Sequence, residues 1–346
     1  MSFACQNESA QKTASSGEKL PTLSVIMPNY NHAKFLPRSF GALLRQSVRP
    51  TEIIVIDDGS TDNSLEVINE FASKYEVIRF FRNEKNLGAA PTVLRGVNLA
   101  HGEYIFSTAA DDEVAPGLFE KSLQLLARYP AAALCCTIGD YREAHTGISW
   151  HWGAGIAESP TYLSPARIVQ LEKQGRFYIP PNSVIFKKSA LCEVGNFIPE
   201  LTFCSDWYAM YVAGFRHGIC FVPEPLAIFH VQAHSYYHKI RRDKAEYRRV
   251  LELLLERLSQ PENRAVLGFV REGGSLFIYG IPMLKLLLRR PEYRHLITPT
   301  FLRKNLSHSI KLFLKNHSPA FLVNSYLKLS GNRKTTAAQS LQNQHG

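Results

Sequence analysis

Tyr104-Ile105-Phe106-Ser107-Thr108-Ala109-Ala110-Asp111-Asp112-Glu113 reads as a buried strand that ends in two adjacent carboxylates. Apolar strands of this kind lie inside an α/β sheet covered on both faces. Ligands of open α/β sheets bind beyond the carboxyl ends of the strands. Two neighbouring Asp residues there repel one another and call for a cation or a hydrogen-bonding ligand. An all-oxygen site suits Mg2+ or Mn2+, usually shared with substrate phosphates.

The residues before this stretch repeat one rhythm. Leu23 to Pro28 is a short apolar run that predicts a first strand, and Pro28-Asn29-Tyr30-Asn31-His32 follows as a loop. Phe35, Phe40, Leu43 and Leu44 recur near helical spacing, so a helix is expected over 33–46 with Pro37 in its first turn. Glu52-Ile53-Ile54-Val55-Ile56-Asp57-Asp58 predicts a second strand, again ending in two carboxylates. Gly59-Ser60-Thr61-Asp62 turns and caps a helix from Ser64 to Tyr75, with Asp62 favouring its dipole and Asp57 bracing the turn. Val77 to Phe81 predicts a third strand, and Asn86-Leu87-Gly88 opens a helix to about Ala100. Strand and helix alternate four times in about 90 residues, which means a parallel sheet with crossover helices.

After the Asp pair, a helix is expected over Pro116 to Arg128 and strands over Ala131 to Thr137 and Asn182 to Phe186. The stretch from Tyr141 to Phe177, with Trp150 and Trp152, is irregular and reads as a substrate-facing excursion or a long loop over the core. A short helix near Ser189 to Val194, a helix from Asp206 to Phe215, and short strands at Ile219 to Val222 and Leu226 to Val231 complete the body. His230, His234 and His238 stand four apart, but the segment reads as strand passing into loop, and no Cys or Glu pattern supports zinc.

Charge divides the chain. From Tyr237 onward there are 20 Lys+Arg and 7 Asp+Glu, leaving 20 and 23 upstream, so the net +10 sits in the C-terminal part. No acidic residue follows Glu292. A basic, apolar-rich tail points to an anionic surface. A charged amphipathic helix is expected over Arg241 to Leu258. Gly274 to Leu288 is apolar but broken by Gly280, Pro282 and Lys285, too short to span a bilayer. Phe301 to Leu329 reads either as a helix on a membrane surface or as a helix packed on the body. The six Cys show no CxxC pair and no regular spacing, which fits reduced thiols in a cytosolic protein. The first 20 residues read as a disordered leader without an apolar signal region, residues 21–238 as the α/β body, 239–335 as a basic helical region and 336–346 as a disordered tail. The basic tail lacks the aromatic-basic interleaving of a nucleic-acid module, so no nucleic-acid partner is expected.

Taken together these residues resemble the family 2 glycosyltransferases with the GT-A fold. The resemblance covers about Leu23 to His238 and rests on five features in order: Ser24 to Asn31, Ile54 to Asp62, Asn86-Leu87-Gly88, the strand ending in Asp111-Asp112 with Pro116 beyond it, and Ser205-Asp206-Trp207. It implies a Rossmann-like, mostly parallel sheet flanked by helices, with a helical C-terminal extension. It also implies inverting transfer of a sugar from a nucleotide-sugar to an acceptor hydroxyl. Pro28, Asn29 and Tyr30 would shape the base pocket, Tyr30 stacking on the base, and Asp58 would accept from a base N–H. Asp111 and Asp112 would hold the ribose and a divalent ion, Mn2+ or Mg2+, that bridges the diphosphate. Asp206 would be the general base.

The sequence departs from the family in two places. Many members carry Asp-x-Asp-Asp at the metal strand, and here Ala109 stands at the first Asp, leaving Asp111 and Asp112 as metal candidates. Where the family often has an Arg late in the domain, the chain reads Phe229-His230-Val231-Gln232, so His230 is the candidate phosphate contact, with pH-dependent charge. The reading is an enzyme of bacterial-type surface polysaccharide or glycolipid assembly with a glycan or lipid-linked glycan acceptor. It is expected in the cytoplasm, peripheral on the inner membrane face through its basic tail. The missing Asp at 109 motivates the alternative, a non-catalytic nucleotide-sugar binder of the same fold.

Overall fold

The computed structural model describes residues 20–143, 149–231 and 243–317, with side chains through residue 310. His234, His238, residues 1–19 of the expected leader and the expected tail lie outside the described residues. Four parallel strands form one half of the sheet: β1 (Leu23–Asn29), β2 (Glu52–Asp57), β3 (Ile78–Arg82) and β4 (Tyr104–Ser107). Helices α1 (Leu36–Leu44), α2 (Ser64–Lys74) and α3 (Ala89–Leu99) connect them. β5 (Glu113–Val114), α4 (Leu118–Arg128), β6 (Leu134–Glu143), β7 (Ser149–Trp152), β8 (Thr161–Leu163), α5 (Pro165–Lys173), β9 (Ile185–Lys187), α6 (Lys188–Glu193), α7 (Ser205–His217) and β10 (Ile219–Val231) follow. The strand order is β3-β2-β1-β4-β9-β6-β10-β5, with β7 beside β6 and β8 beside β10.

Alternate residues of β2 explain why its run is unbroken. Ile54 and Ile56 enter the core under α3, α5 and α7, while Ile53 and Val55 enter the core under α1, α2 and α4. A strand covered on both faces has no polar side to show. The layers meet closely: a Cβ on Gly96 of α3 would stand 2.4 Å from Ile26 Cγ2 on β1. Glu52 staples the opposite end of the strands, accepting from Ser24 Oγ at 2.6 Å and His101 N–H at 2.6 Å and pairing with Arg79. Burial works against its charge, but these donors prevail and hold the carboxyl at about 2.

Several expectations need correction. β4 stops at Ser107, and Asp111 and Asp112 lie in the turn before β5. The sheet is mixed, because β9 runs antiparallel to both β4 and β6. Residues Pro181–Ser183 form a 3-10 turn, so that strand begins at Ile185. Apolar runs report burial but not direction, which is why the reversal was illegible. The two short strands expected at 219–222 and 226–231 are one strand with irregularities at Pro225, where a bulge absorbs residues that cannot donate to the ladder. The irregular stretch after Tyr141 contains β7, β8 and α5.

The C-terminal region comprises α8 (Lys244–Leu258), α9 (Arg264–Gly273), α10 (Gly280–Arg289) and α11 (Pro299–His317), joined by 3-10 turns. α8 is capped by Asp243, whose carboxylate accepts from Ala245 N–H and Glu246 N–H at 3.0 Å each. Of the two readings of this region, the described residues favour packing on the body. Tyr247, Leu254, Val270, Met283 and Phe301 share one buried cluster with Leu171 and Tyr211 of α5 and α7. A buried ion pair from Glu172 on α5 to Lys304 on α11 fastens the last helix.

Candidate active site

The carboxyl ends of β1, β2 and β4 lie along one edge of the sheet, because these strands are parallel neighbours. The loops leaving that edge are laced together. Asn29 donates Nδ2 to Asp57 Oδ1 at 2.9 Å, and Asp57 Oδ2 accepts from Ser60 N–H at 3.0 Å. Asn31, at φ +56°, accepts from Thr61 N–H at 2.8 Å, and Asp62 accepts from Ala33 N–H at 2.9 Å. Asp57 and Asp62 thus brace two turns. Pro28 stands half-buried in this edge, and Tyr30 is 43% exposed beside it, free to meet a planar ligand.

Asp58 is buried and turned inward. Its Oδ1 accepts from Asn83 Nδ2 at 2.7 Å and Leu87 N–H at 2.9 Å, and its Oδ2 accepts from Gly88 N–H at 2.8 Å. The carboxylate therefore holds the Asn86-Leu87-Gly88 loop, and Oδ2 keeps acceptor capacity for one more donor. Gly59, at φ +75°, leaves room for that loop: a Cβ there would stand 3.0 Å from Asn86 N.

Three acids in a row follow β4, and the structure separates them. Arg38 donates Nη2 to the Asp111 carbonyl at 2.8 Å and pairs its Nε with Glu113 at 3.0 Å. Ser39 Oγ donates to the carbonyls of Ala110 or Asp112, 2.7 Å from each. Asp112 is buried, with Oδ1 accepting from His230 N–H at 3.0 Å and Oδ2 from Asn182 Nδ2. Burial, and then Asp111 beside it, pushes its carboxyl up to about 7. Asp111 is more open, and His32 Nδ1 lies 4.0 Å from its Oδ1. His230 sits next to this pair, but its ring Nε2 is 2.7 Å from Glu113. That partner makes it a brace for the acidic turn as it stands.

Asp206 occupies the first turn of α7, a helix otherwise buried almost throughout. It opens into a cleft walled by Ser107, Asn182, Phe186, Phe197 and Met210. Asp206 itself is exposed at the mouth of the cleft, and desolvation by the protein packed around it raises the carboxyl to about 6. No hydrogen bond or ion pair engages it among the described residues. Asn182 is the link: it donates to Asp112 and walls the cleft of Asp206. The loop entering α7 contains Thr202 at φ +40°, unusual for a β-branched residue.

Asp58 and the Asp111-Asp112 pair therefore lie along one edge, and Asn182 links Asp112 to the cleft that Asp206 lines. Asn182, Arg38, Glu113 and Asn83 were not read from the sequence as site residues. Glu113 was the legible one, since three adjacent acids require cations nearby. Among the described residues, no group of three or more His, Cys, Asp or Glu side chains is poised to hold a metal ion. Asp111 and Asp112 supply oxygen alone and few ligands, the pattern of an Mg2+ or Mn2+ shared with a ligand's phosphates.

Residues 24–192 match the family model for Glycosyl transferase family 2. Glycosyltransferase GlyG of Streptococcus pneumoniae is 35% identical over 122 residues, 35% of this chain and 40% of that protein. The chain's matches span 37–43% of the length of such curated relatives. Among solved structures, S. aureus TarS 1-349 in complex with UDP-GlcNAc aligns with a TM-score of 0.53 at 15% identity, covering 83% of this chain and 91% of that one. The mannosyltransferase PcManGT from Pyrobaculum calidifontis, in complex with GDP-Man and Mn2+, aligns with a TM-score of 0.52 at 16% identity over 83% and 88%. At these identities the likeness is one of fold, and the fold is that of the GT-A glycosyltransferases. No helix among the described residues is long and apolar enough to cross a membrane.

Proposed function

Residues 24–192 belong to glycosyl transferase family 2, and from that premise we propose that the chain moves a sugar from a nucleotide-diphosphate sugar to an acceptor hydroxyl with inversion. The observation that carries the proposal is the cleft in which Asn182 joins the acidic turn of Asp112 to the free carboxylate of Asp206. Asp206 takes the proton of the acceptor hydroxyl as its oxygen attacks the anomeric carbon. Desolvation has lifted its basicity toward that of a working base. A carboxylate with no partner of its own needs to break no bond before accepting the proton.

On the donor side, Tyr30 stacks on the base, with Pro28 and Asn29 shaping its pocket, and Asp58 meets the base edge with its remaining acceptor site while it holds the 86–88 loop. Asp111 and Asp112 would hold the ribose and a divalent cation, Mn2+ or Mg2+, which would supply positive charge against that of the departing nucleoside diphosphate. His230 contacts the phosphates only if its ring leaves Glu113, so its part is smaller than that of the Asp pair. The acceptor is a glycan or lipid-linked glycan of bacterial cell-surface polysaccharide or glycolipid synthesis. The enzyme works in the cytoplasm, against the inner membrane face, through its basic C-terminal region. The related proteins that carry glycosyltransferase names, and the nucleotide-sugars in the titles of the structural neighbours, support the reaction class.

A panel of UDP- and GDP-sugars with Mn2+ tests this directly. One donor is expected to raise the melting temperature and to be turned over, and Asp206→Asn should abolish turnover while keeping donor binding. Binding without turnover for every donor and acceptor offered would favour the alternative, a non-catalytic nucleotide-sugar binder, for which Ala109 in the acidic motif is the motivating residue.

A further inference from the structure

Nine large apolar side chains are exposed among the described residues, and five of them, all aliphatic, fall on α10 and α11. Scattered exposure is ordinary, but clustering on two adjoining helices is not. On α11, Leu302, Leu306 and Ile310 follow at intervals of four, and Leu306 is 63% exposed. The opposite side of that helix buries Phe301, Lys304 and Asn305. On α10, Ile281 and Leu288 stand two turns apart on the outside, while Met283, Leu286 and Leu287 face inward. Each helix thus has a core stripe and a second apolar stripe that no described residue covers.

The charged residues on these two helices are all basic, and the acids beside the end of α10, Glu252 and Glu292, pair with Arg290. Lys285 and Arg289 are exposed on α10 and have no ion-pair partner among the described residues. Arg303 is exposed next to Leu302, and it donates to the Lys173 carbonyl. No acid occurs after Glu292, and the chain beyond residue 317 adds Lys328, Arg333 and Lys334. A second copy of the chain seated on this face would press cations against cations, and the remaining tail would only add to the charge.

We propose that the outward face of α10 and α11 docks on an anionic phospholipid surface, its aliphatic side chains entering the interface and its cations meeting the headgroups. Helices with an apolar stripe and flanking Lys and Arg lie in the interface plane. The docking surface deepens the membrane contact of the transferase reading, and it uses none of that reading's chemistry. Lipid binding and sugar transfer can therefore fail separately.

Full-length protein is floated with phosphatidylcholine vesicles and with phosphatidylcholine–phosphatidylglycerol vesicles. It is expected to float with the anionic vesicles alone and to be released by salt. A Leu302→Ser/Leu306→Ser/Ile310→Ser variant and a Lys285→Glu/Arg289→Glu variant should each weaken partitioning about tenfold or more, with unchanged melting temperatures because all five positions are exposed. Failure to float with either vesicle overturns the proposal, as does flotation of the triple variant equal to that of the parent. A dimer in solution that the triple variant dissociates, without vesicle binding, would make this face an interface between copies and also overturn it.

Discussion

The backbone N–H of His230 donates to Oδ1 of Asp112 at 3.0 Å, joining residues 118 positions apart. The other oxygen of Asp112 accepts from Asn182, so β10 and the 3-10 turn before β9 together fix one carboxylate. Removing the Asn182 amide leaves that oxygen with no donor in a buried place. Asn182→Ala should therefore weaken Mn2+-dependent donor binding about 10–100-fold, the usual cost of losing a residue that orients a metal-binding carboxylate. Titration of donor with and without Mn2+ measures it. If only the Mn2+-free affinity falls, Asn182 does not act through Asp112.

Asp206→Asn separates chemistry from stability. Turnover should fall about 10²–10⁴-fold with donor affinity kept, the range for losing a general base. The folded carboxyl titrates at about 6, above its ordinary 3.8. A group that binds its proton more tightly when folded adds stability at low pH and loses it as pH rises through the folded pKa. At pH 7.5 the Asn variant should therefore melt higher than the parent, and below pH 3.8 the difference should vanish. The acid limb of kcat/KM should likewise turn near pH 6 in the parent. Equal melting at both pH values would mean that the carboxylate is fully hydrated.

Asp58→Ala removes three donors' acceptor at once: Asn83, Leu87 and Gly88. The cost to stability is expected at about 2–3 kcal/mol, the range for hydrogen bonds to a charged group and for the buried donors left behind. KM for the donor should rise more than kcat falls, because the loop shapes a pocket and touches no reacting atom. A fall in kcat alone would place Asp58 in the chemistry instead.

How much of this was legible beforehand differs from residue to residue. Ile53 to Ile56 announced a strand buried on both faces, and the turn Gly59 to Asp62 announced the next helix, because burial and turn chemistry are local. The direction of β9 was not legible, since Ile185 and Phe186 look alike in either orientation. Asp206 could be placed at a helix start from its neighbours. Asn182 could not be tied to it, because a polar side chain 70 residues from Asp112 acquires its role only when the sheet closes. Docking of α11 on α5 was open for the same reason. Lys304 looked like one more basic tail residue until Glu172 faced it.

That pair supports the last prediction. Burial raises the Glu172 carboxyl and lowers the Lys304 amine, each against the pull of its partner, so the charges are held in place at a desolvation cost. Lys304 also receives the ring face of Phe277 at 4.2 Å and donates to the Gly273 carbonyl at 3.0 Å. Lys304→Met strands a buried carboxylate and should cost about 3–5 kcal/mol, whereas Glu172→Gln/Lys304→Met should recover much of it, since neutral groups carry no comparable desolvation penalty. Urea unfolding of the single and double variants measures the coupling. A double variant no more stable than Lys304→Met would mean that Lys304 acts on Phe277 and Gly273, and not on the charge of Glu172, in holding α11 to the body.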